Sequence, residues 1–136
     1  MTADGPTGIT GTIALRRVEH ALTEIEGDAG LVMRGRLRNV DAPGMRFCAR
    51  LRVATEGGSC EAAGDTLSVR DARSVVVTLV AATDYRGDDP DVRTAEQIET
   101  ASAASYETLR AEQLADHRGL FRRVKLDLDL PPTDGT

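Results

Sequence analysis

FCARLRVATEGGSCEAAGDTLSVRDARSVVVTLVAAT, residues 47–83, is the stretch that decides the fold. Its first nine residues alternate. Phe47, Ala49, Leu51 and Val53 point to one side of an extended chain, and Cys48, Arg50, Arg52 and Ala54 to the other. That period of two predicts a strand over Phe47–Thr55. Glu56-Gly57-Gly58 then reads as a hairpin connection into Cys60–Ala62, and Gly64-Asp65 as a turn into Thr66–Arg70. Val75–Thr83 is nearly continuous in apolar residues and is β-branched at Val75, Val76, Val77, Thr78 and Val80. Such a run predicts a strand covered on both faces.

The same pattern extends upstream. Ile9–Arg17, Ala21–Glu26 and Val32–Leu37 place β-branched or apolar residues on alternate positions, and Asp41–Gly44 (DAPG) is a turn. Regular strand–turn spacing over residues 9–83 predicts a mainly β fold, an antiparallel β-sandwich or half of a larger one. Downstream the character changes. Residues 84–91 form a polar loop bearing Gly87 and Pro90, and Asp91 or Thr94 is placed to cap a helix. Ile98, Ala101, Ser105, Leu109 and Leu114 keep a rough helical period, which predicts one long helix over residues 92–118. The small residues Ala101–Ser105 would let it approach a neighbour closely, and Gly119 would end it. Phe121, Val124, Leu126, Leu128 and Leu130 resume an extended pattern, so a final strand is expected within residues 120–130, before Pro131-Pro132. The expectation for residues 1–136 as a whole is a single, partial domain.

Composition narrows the function classes. The net charge of −5 draws the chain to neither nucleic acid nor an anionic membrane. Aromatics make up 3% with no Trp, which is thin for a sugar-binding platform. No run approaches the roughly 20 apolar residues of a membrane span. The first residues, MTADGPTGITG, show no basic and apolar leader, so a cytoplasmic location is the default expectation. With so few Cys and His, two of each, a structural zinc site is not expected. If Gly57-Gly58 closes a tight hairpin, Cys60 faces Val53 or Ala54, and Cys48 lies roughly 17–20 Å away along the strand. Two free thiols are therefore expected.

The residues that could carry chemistry read as structural. Asp84, Asp88, Asp89 and Asp91 sit in a Gly- and Pro-bearing loop, where a solvated turn is expected. They lack the spacing and downstream Glu of an EF-hand. His117 lies late in the helix, suited to a cationic or hydrogen-bonding role near its C-terminal end. Asp116 beside it faces elsewhere and cannot orient it as a general base. His20 falls between two strands and reads as a surface turn residue. Arg123 and Lys125 alternate with Val124 and Leu126, so they belong to an exposed strand face. Gly57-Gly58 has no following Lys-Ser/Thr and is no phosphate cradle. Tyr85, Tyr106, Phe47 and Phe121 are the available aromatic platforms, of which Phe47 and Phe121 read as core.

The stretch Ala81–Asp134 carries a resemblance. An apolar strand ends in Thr83-x-Tyr85, followed by Pro90, then a helix with Ser105, Tyr106, Leu109 and His117. Leu120, Phe121, Arg123, Val124, Leu126 and Leu128 come next, then Pro132, Thr133 and Asp134. In that order these residues resemble the end of the N-terminal domain of glycoside hydrolase family 95, the α-L-fucosidases and related exo-acting enzymes. The preceding Gly-Gly turn and paired strands are similar to that family as well, while residues 1–40 fit it loosely. The resemblance implies a β-supersandwich joined by a helical linker to an (α/α)6 barrel, with a small β domain after it. The catalytic carboxylates and water-activating asparagines of inverting hydrolysis would lie in that barrel. By the resemblance this chain begins inside the N-terminal domain and stops about where the linker should begin.

No position here therefore matches a catalytic residue of the family, and none is assigned; no cofactor or metal residue is assigned either. The expected function is a non-catalytic domain that braces a glycosidase barrel. The alternative is an autonomous carbohydrate-binding β-sandwich. An enzyme in its own right would need an acid and a base about 6.5–9.5 Å apart across a cleft, which no motif provides. A partial sandwich should expose an apolar patch or a bare sheet edge, so the expected partners are the intramolecular barrel of the parent enzyme and a second copy through that edge.

Overall fold

The computed structural model describes residues 8–39 and 42–124. Seven strands come first: β1 (Ile9–Ala14), β2 (Ala21–Ile25), β3 (Gly30–Arg36), β4 (Arg46–Glu56), β5 (Ser59–Ala63), β6 (Thr66–Ala72) and β7 (Ser74–Thr83). A single 3₁₀ turn, Asp84–Arg86, leads to two helices, α1 (Pro90–Ala103) and α2 (Tyr106–Phe121). None of the described helices is long and apolar enough to cross a membrane. The strands make two antiparallel sheets, ordered β1-β6-β5 and β2-β3-β4-β7. They share one core. Leu31, Leu51, Val53 and Val75 meet Leu67, Val69 and Ala72, with Ile9, Ile13, Ile25 and Cys60 at its margin. Each fully buried aliphatic side chain there contributes about 1.5–3 kcal/mol by leaving water.

The Gly-Gly segment has a different role from the hairpin expected of it. β5 pairs with β6 and β4 pairs with β7, so Gly57-Gly58 joins two sheets rather than two paired strands. The turn of the hairpin is Gly64-Asp65, with Gly64 at φ +66° and Ala63 opposite Thr66. From that turn one long two-stranded ribbon runs through both sheets and bends at a corner. There Glu56 lies opposite Ser74 and Ser59 opposite Arg70, so two residues on one side face three on the other. The extra residue is a bulge that re-aims the strands into the second sheet. Gly57, Gly58 and Asp71 adopt positive φ at this corner, and the Arg73 amide bridges it by donating to the Glu56 carbonyl at 2.8 Å. Thr10 secures the bulge by accepting the Asp71 amide on its hydroxyl at 3.0 Å.

β4 keeps the alternation read from its sequence, and both of its faces are covered. Leu51 and Val53 enter the shared core, while Cys48 and Arg50 lie buried on the opposite face, where α1 packs. β7, expected to be covered on both faces, is instead the edge of its sheet, with Val77 46% and Leu79 58% exposed. An apolar run does not by itself show what lies over it.

The helical region also departs from expectation. One helix over 92–118 is in fact two, broken at Ala104-Ser105. The Ser105 hydroxyl accepts the Thr108 amide at 3.1 Å, so the small-residue stretch provides a cap rather than a close helix contact. α1 also begins earlier than Asp91. Asp89 caps it, accepting the Asp91 amide at 2.9 Å, and Pro90 takes the first helical position. Residues through Ala103 and residues from Ala104 on form separate units. In the second unit α2 has no buried residue, continues past Gly119, and stacks His117 on Phe121 with ring centroids 5.1 Å apart. Leu120 and Phe121 are thus helical, and no strand follows α2 among the described residues. The remainder of the expected final strand, residues 125–130, lies outside them.

Candidate functional site

The clustered chemistry lies between α1 and the outer face of β3 and β4. Antiparallel pairing sets Cys48 opposite Arg34 and Arg50 opposite Val32, which puts both guanidinium groups on one face. Arg50 is 6% exposed, and each of its three side-chain nitrogens is engaged. Its Nε meets the Glu26 carboxylate at 3.0–3.1 Å, and its Nη2 meets Asp91 Oδ1 at 2.5 Å. Its Nη1 donates to the Asp91 carbonyl and the Thr94 hydroxyl, both at 3.1 Å. Arg34 grips the same Asp91 carboxylate through Nε at 2.8 Å and Nη2 at 3.2 Å, and reaches Glu24 at 3.1 Å. Among the described residues no buried side-chain nitrogen or oxygen lacks a partner.

The aspartates read as a solvated turn are therefore anchors. Asp84 Oδ1 accepts the Arg46 amide at 2.9 Å, Asp88 pairs with Arg93 at 3.0 Å and Asp89 with Arg46 at 3.1 Å. Asp91 joins the buried network. One signal in the sequence could have shown this: four acidic residues at the start of a helix, with Arg34, Arg46 and Arg50 on two neighbouring strands.

The electrostatics favour permanence over turnover. The Arg34 guanidinium, hydrogen-bonded to Asp91, holds that carboxyl below the usual carboxylate range. The Asp91 amide and Arg46 do the same for Asp89, and Arg52 for Glu99. A carboxyl held ionised in this way cannot serve as the proton donor that glycoside hydrolysis needs. Cys48, buried beneath Thr94 at 3.2 Å, has its thiol pushed up by burial and is not activated as a nucleophile. Both cysteines are free thiols. The hairpin register from which free thiols were expected is not the one observed, since β4 pairs with β7 and β5 with β6.

The other candidates lie apart. His20 occupies a left-handed turn at φ +58°. Phe121, expected in the core, is largely exposed, and Arg123 follows the helix end instead of lining a strand; Lys125 lies outside the described residues. Phe47 is half-buried under the Arg17 guanidinium, 5.1 Å from its ring centre. Tyr106 is exposed on α2. Tyr85, 84% exposed, borders an open groove of about 200 Å³ with Ala81, Thr83, Arg86 and Gln97. Among the described residues no group of three or more His, Cys, Asp and Glu is placed to hold a metal ion.

A second feature is a bare apolar stripe. Val77 lies opposite Val53 and Leu79 opposite Leu51, so both share the face that carries the core. The three-stranded sheet covers Leu51 and Val53 but leaves Val77 and Leu79 open.

The model of one known family, glycosyl hydrolase family 65, N-terminal domain, matches residues 1–88. No curated protein matches the chain. The match supports a glycoside hydrolase N-terminal domain, but through family 65 rather than the family 95 suggested by the Ala81–Asp134 motifs.

Proposed function

The chain belongs to the glycosyl hydrolase family 65 N-terminal domain family, and from that premise we propose that it is a non-catalytic β domain that braces the catalytic domain of a glycoside hydrolase. The observation that carries this reading is the state of its clustered acids. Glu24, Glu26, Asp88, Asp89 and Asp91 each pair with an arginine. Asp89 and Asp91 in this way hold a helix on a sheet, so the clustered carboxylates serve the fold. The domain is part of a larger sandwich, and the bare inner face at Val77 and Leu79 is where further structure of the parent enzyme would seat. That parent carries its hydrolytic machinery in an (α/α)6 barrel. The finer assignment, an α-L-fucosidase of family 95 type, rests on motif residues lying mostly beyond the matched stretch.

The test compares the 136-residue chain with the same chain expressed in frame with its downstream coding sequence. Both are assayed against aryl glycosides, including an α-L-fucoside, and against a 2-linked fucoside. The expected result is no turnover by the isolated chain and hydrolysis by the extended one. Turnover by the isolated chain overturns the reading. So does retention of a glycan on an array that is lost in a Tyr85→Ala variant, which would make this a carbohydrate-binding module.

A further inference from the structure

We propose that the groove between the end of β7 and α1 is a binding site for a small, flat carboxylate. The groove has a volume of about 200 Å³ and is lined by Thr83, Tyr85, Arg86, Arg93, Gln97 and two alanines of β7. Two elements build it. The 3₁₀ turn carries Tyr85 and Arg86 and closes on Gly87, whose amide donates to the Asp84 carbonyl at 2.9 Å. α1 supplies Arg93 and Gln97, which are four residues apart and so share one face of the helix. Both elements are anchored at Arg46 of β4, the turn through Asp84 and the helix through Asp89, so the groove is framed by the same contacts that fix the fold.

The lining selects the ligand. The chain carries a net charge of −5, yet this groove is bordered by two arginines and no acid. The acids nearby are committed elsewhere. Asp84 accepts the Arg46 amide, Asp89 pairs with Arg46, and Asp88 takes Nη1 of Arg93. Asp88, Asp89 and Glu96 border a different groove, which shares only Arg93 with this one. Among the described residues no carboxylate pairs with Arg86. A guanidinium presents parallel N–H donors that fit the two oxygens of a carboxylate. Gln97, half-buried, adds an amide donor, and Tyr85, 84% exposed, offers a ring face on which a flat molecule can lie. The volume is below the roughly 300–1,000 Å³ of drug-sized pockets, so it suits a single ring or its equivalent.

Titration of the isotopically labelled full chain with benzoate at constant ionic strength, followed by NMR, tests this. The expected result is saturable shifts at Tyr85, Arg86 and Gln97, with a dissociation constant in the millimolar range that so small a ligand reaches. Benzamide has the same shape without the charge and binds at least about tenfold more weakly. Arg86→Gln weakens benzoate at least about tenfold, and Tyr85→Ala at least about threefold. Arg38→Gln, at an exposed arginine outside the groove, leaves binding unchanged. Circular dichroism confirms that each variant is folded. Shifts that do not saturate overturn the proposal, and so does an absence of shifts, as when the groove is filled by the chain itself. An equal response to benzamide or to the Arg86→Gln variant overturns it too. Tighter binding of N-acetylglutamate methylamide than of benzoate replaces the free ligand with a carboxylate side chain of a protein. The inference goes beyond the bracing function and does not depend on it, since a groove that binds no benzoate leaves the glycoside assays unaffected.

Discussion

Arg50 and Asp91 form a contact that ties together residues 41 positions apart in the chain. A buried guanidinium contributes stability only while its partners remain, because an uncompensated buried charge is costly. Asp91→Asn keeps the shape and removes the charge. Arg50 still has Glu26, and Asp91 is itself about a third exposed, so the loss is moderated by solvent. The variant should unfold with about 1–3 kcal/mol less stability at neutral pH, measured by denaturant titration. The sign of its pH dependence comes from the depressed carboxyl. An Asp whose folded value lies below its unfolded one stabilises the fold above the unfolded value, and loses that contribution as pH falls through the folded one. The gap between the wild-type protein and Asp91→Asn should therefore close as pH drops below about 4. A gap that persists in acid would mean that Asp91 acts through shape rather than charge.

The bent ribbon gives the corresponding test among the elements. A Cβ on Gly58 would lie 2.1 Å from the Arg70 carbonyl oxygen and 2.5 Å from the Ala72 nitrogen, both backbone atoms of β6. A Cβ on Gly57 would find its nearest neighbour, the Arg73 nitrogen, at 3.8 Å. Both glycines are left-handed, so an alanine at either place is strained by about 1–2 kcal/mol. Gly58→Ala must in addition push two strands apart, and should cost at least about twice as much as Gly57→Ala in a thermal or denaturant melt. Equal losses would mean that the corner gives way easily. The same corner shows how far the sequence can be read. Five of the seven strands are visible in it as alternation or apolar runs, and β5 and β6 through the turns before them, because these are local properties. The partner of each strand is not, because two glycines between strands have the same local chemistry in a hairpin and in a sheet-to-sheet corner. β4 and β7 likewise exchange depth between sequence and structure. Cys48 and Arg50 look like an outward face until a helix some 40 residues later lies on them, and Val77 of β7 looks interior but is largely open. For the site, the aspartates and arginines are legible as residue types, but their pairing depends on α1 starting at Pro90 rather than near Asp91.

For the unit formed by residues through Ala103, these details separate two kinds of cohesion. The two sheets are joined by an apolar core, which is indifferent to protonation. α1 is joined to its sheet by Ile98, Thr94 and Pro90 beneath it and by charge around it: Asp91 with Arg34 and Arg50, Asp89 with Arg46, and Glu99 with Arg52. Asp91 and Glu99 are held below their ordinary values by those partners, and Asp89 by the Asp91 amide together with Arg46. As with Asp91 alone, their contributions are complete above the unfolded carboxylate range and fade as pH falls through the folded values. Cys48 and Cys60 run the other way. Burial raises both thiols, so the stability they confer is complete below the unfolded thiol value, about 8.5, and fades as pH rises through the folded one. Stability should thus be level between about pH 5 and 8. On the acid side the loss should be uneven in space. Amide exchange at about pH 3, corrected for intrinsic rates, should show α1 losing protection while Leu51, Val53, Leu67 and Val69 keep theirs. Simultaneous loss in α1 and in the sheets would show that the helix and the core unfold as one cooperative piece, and that the arginine network secures the whole unit rather than its outer layer.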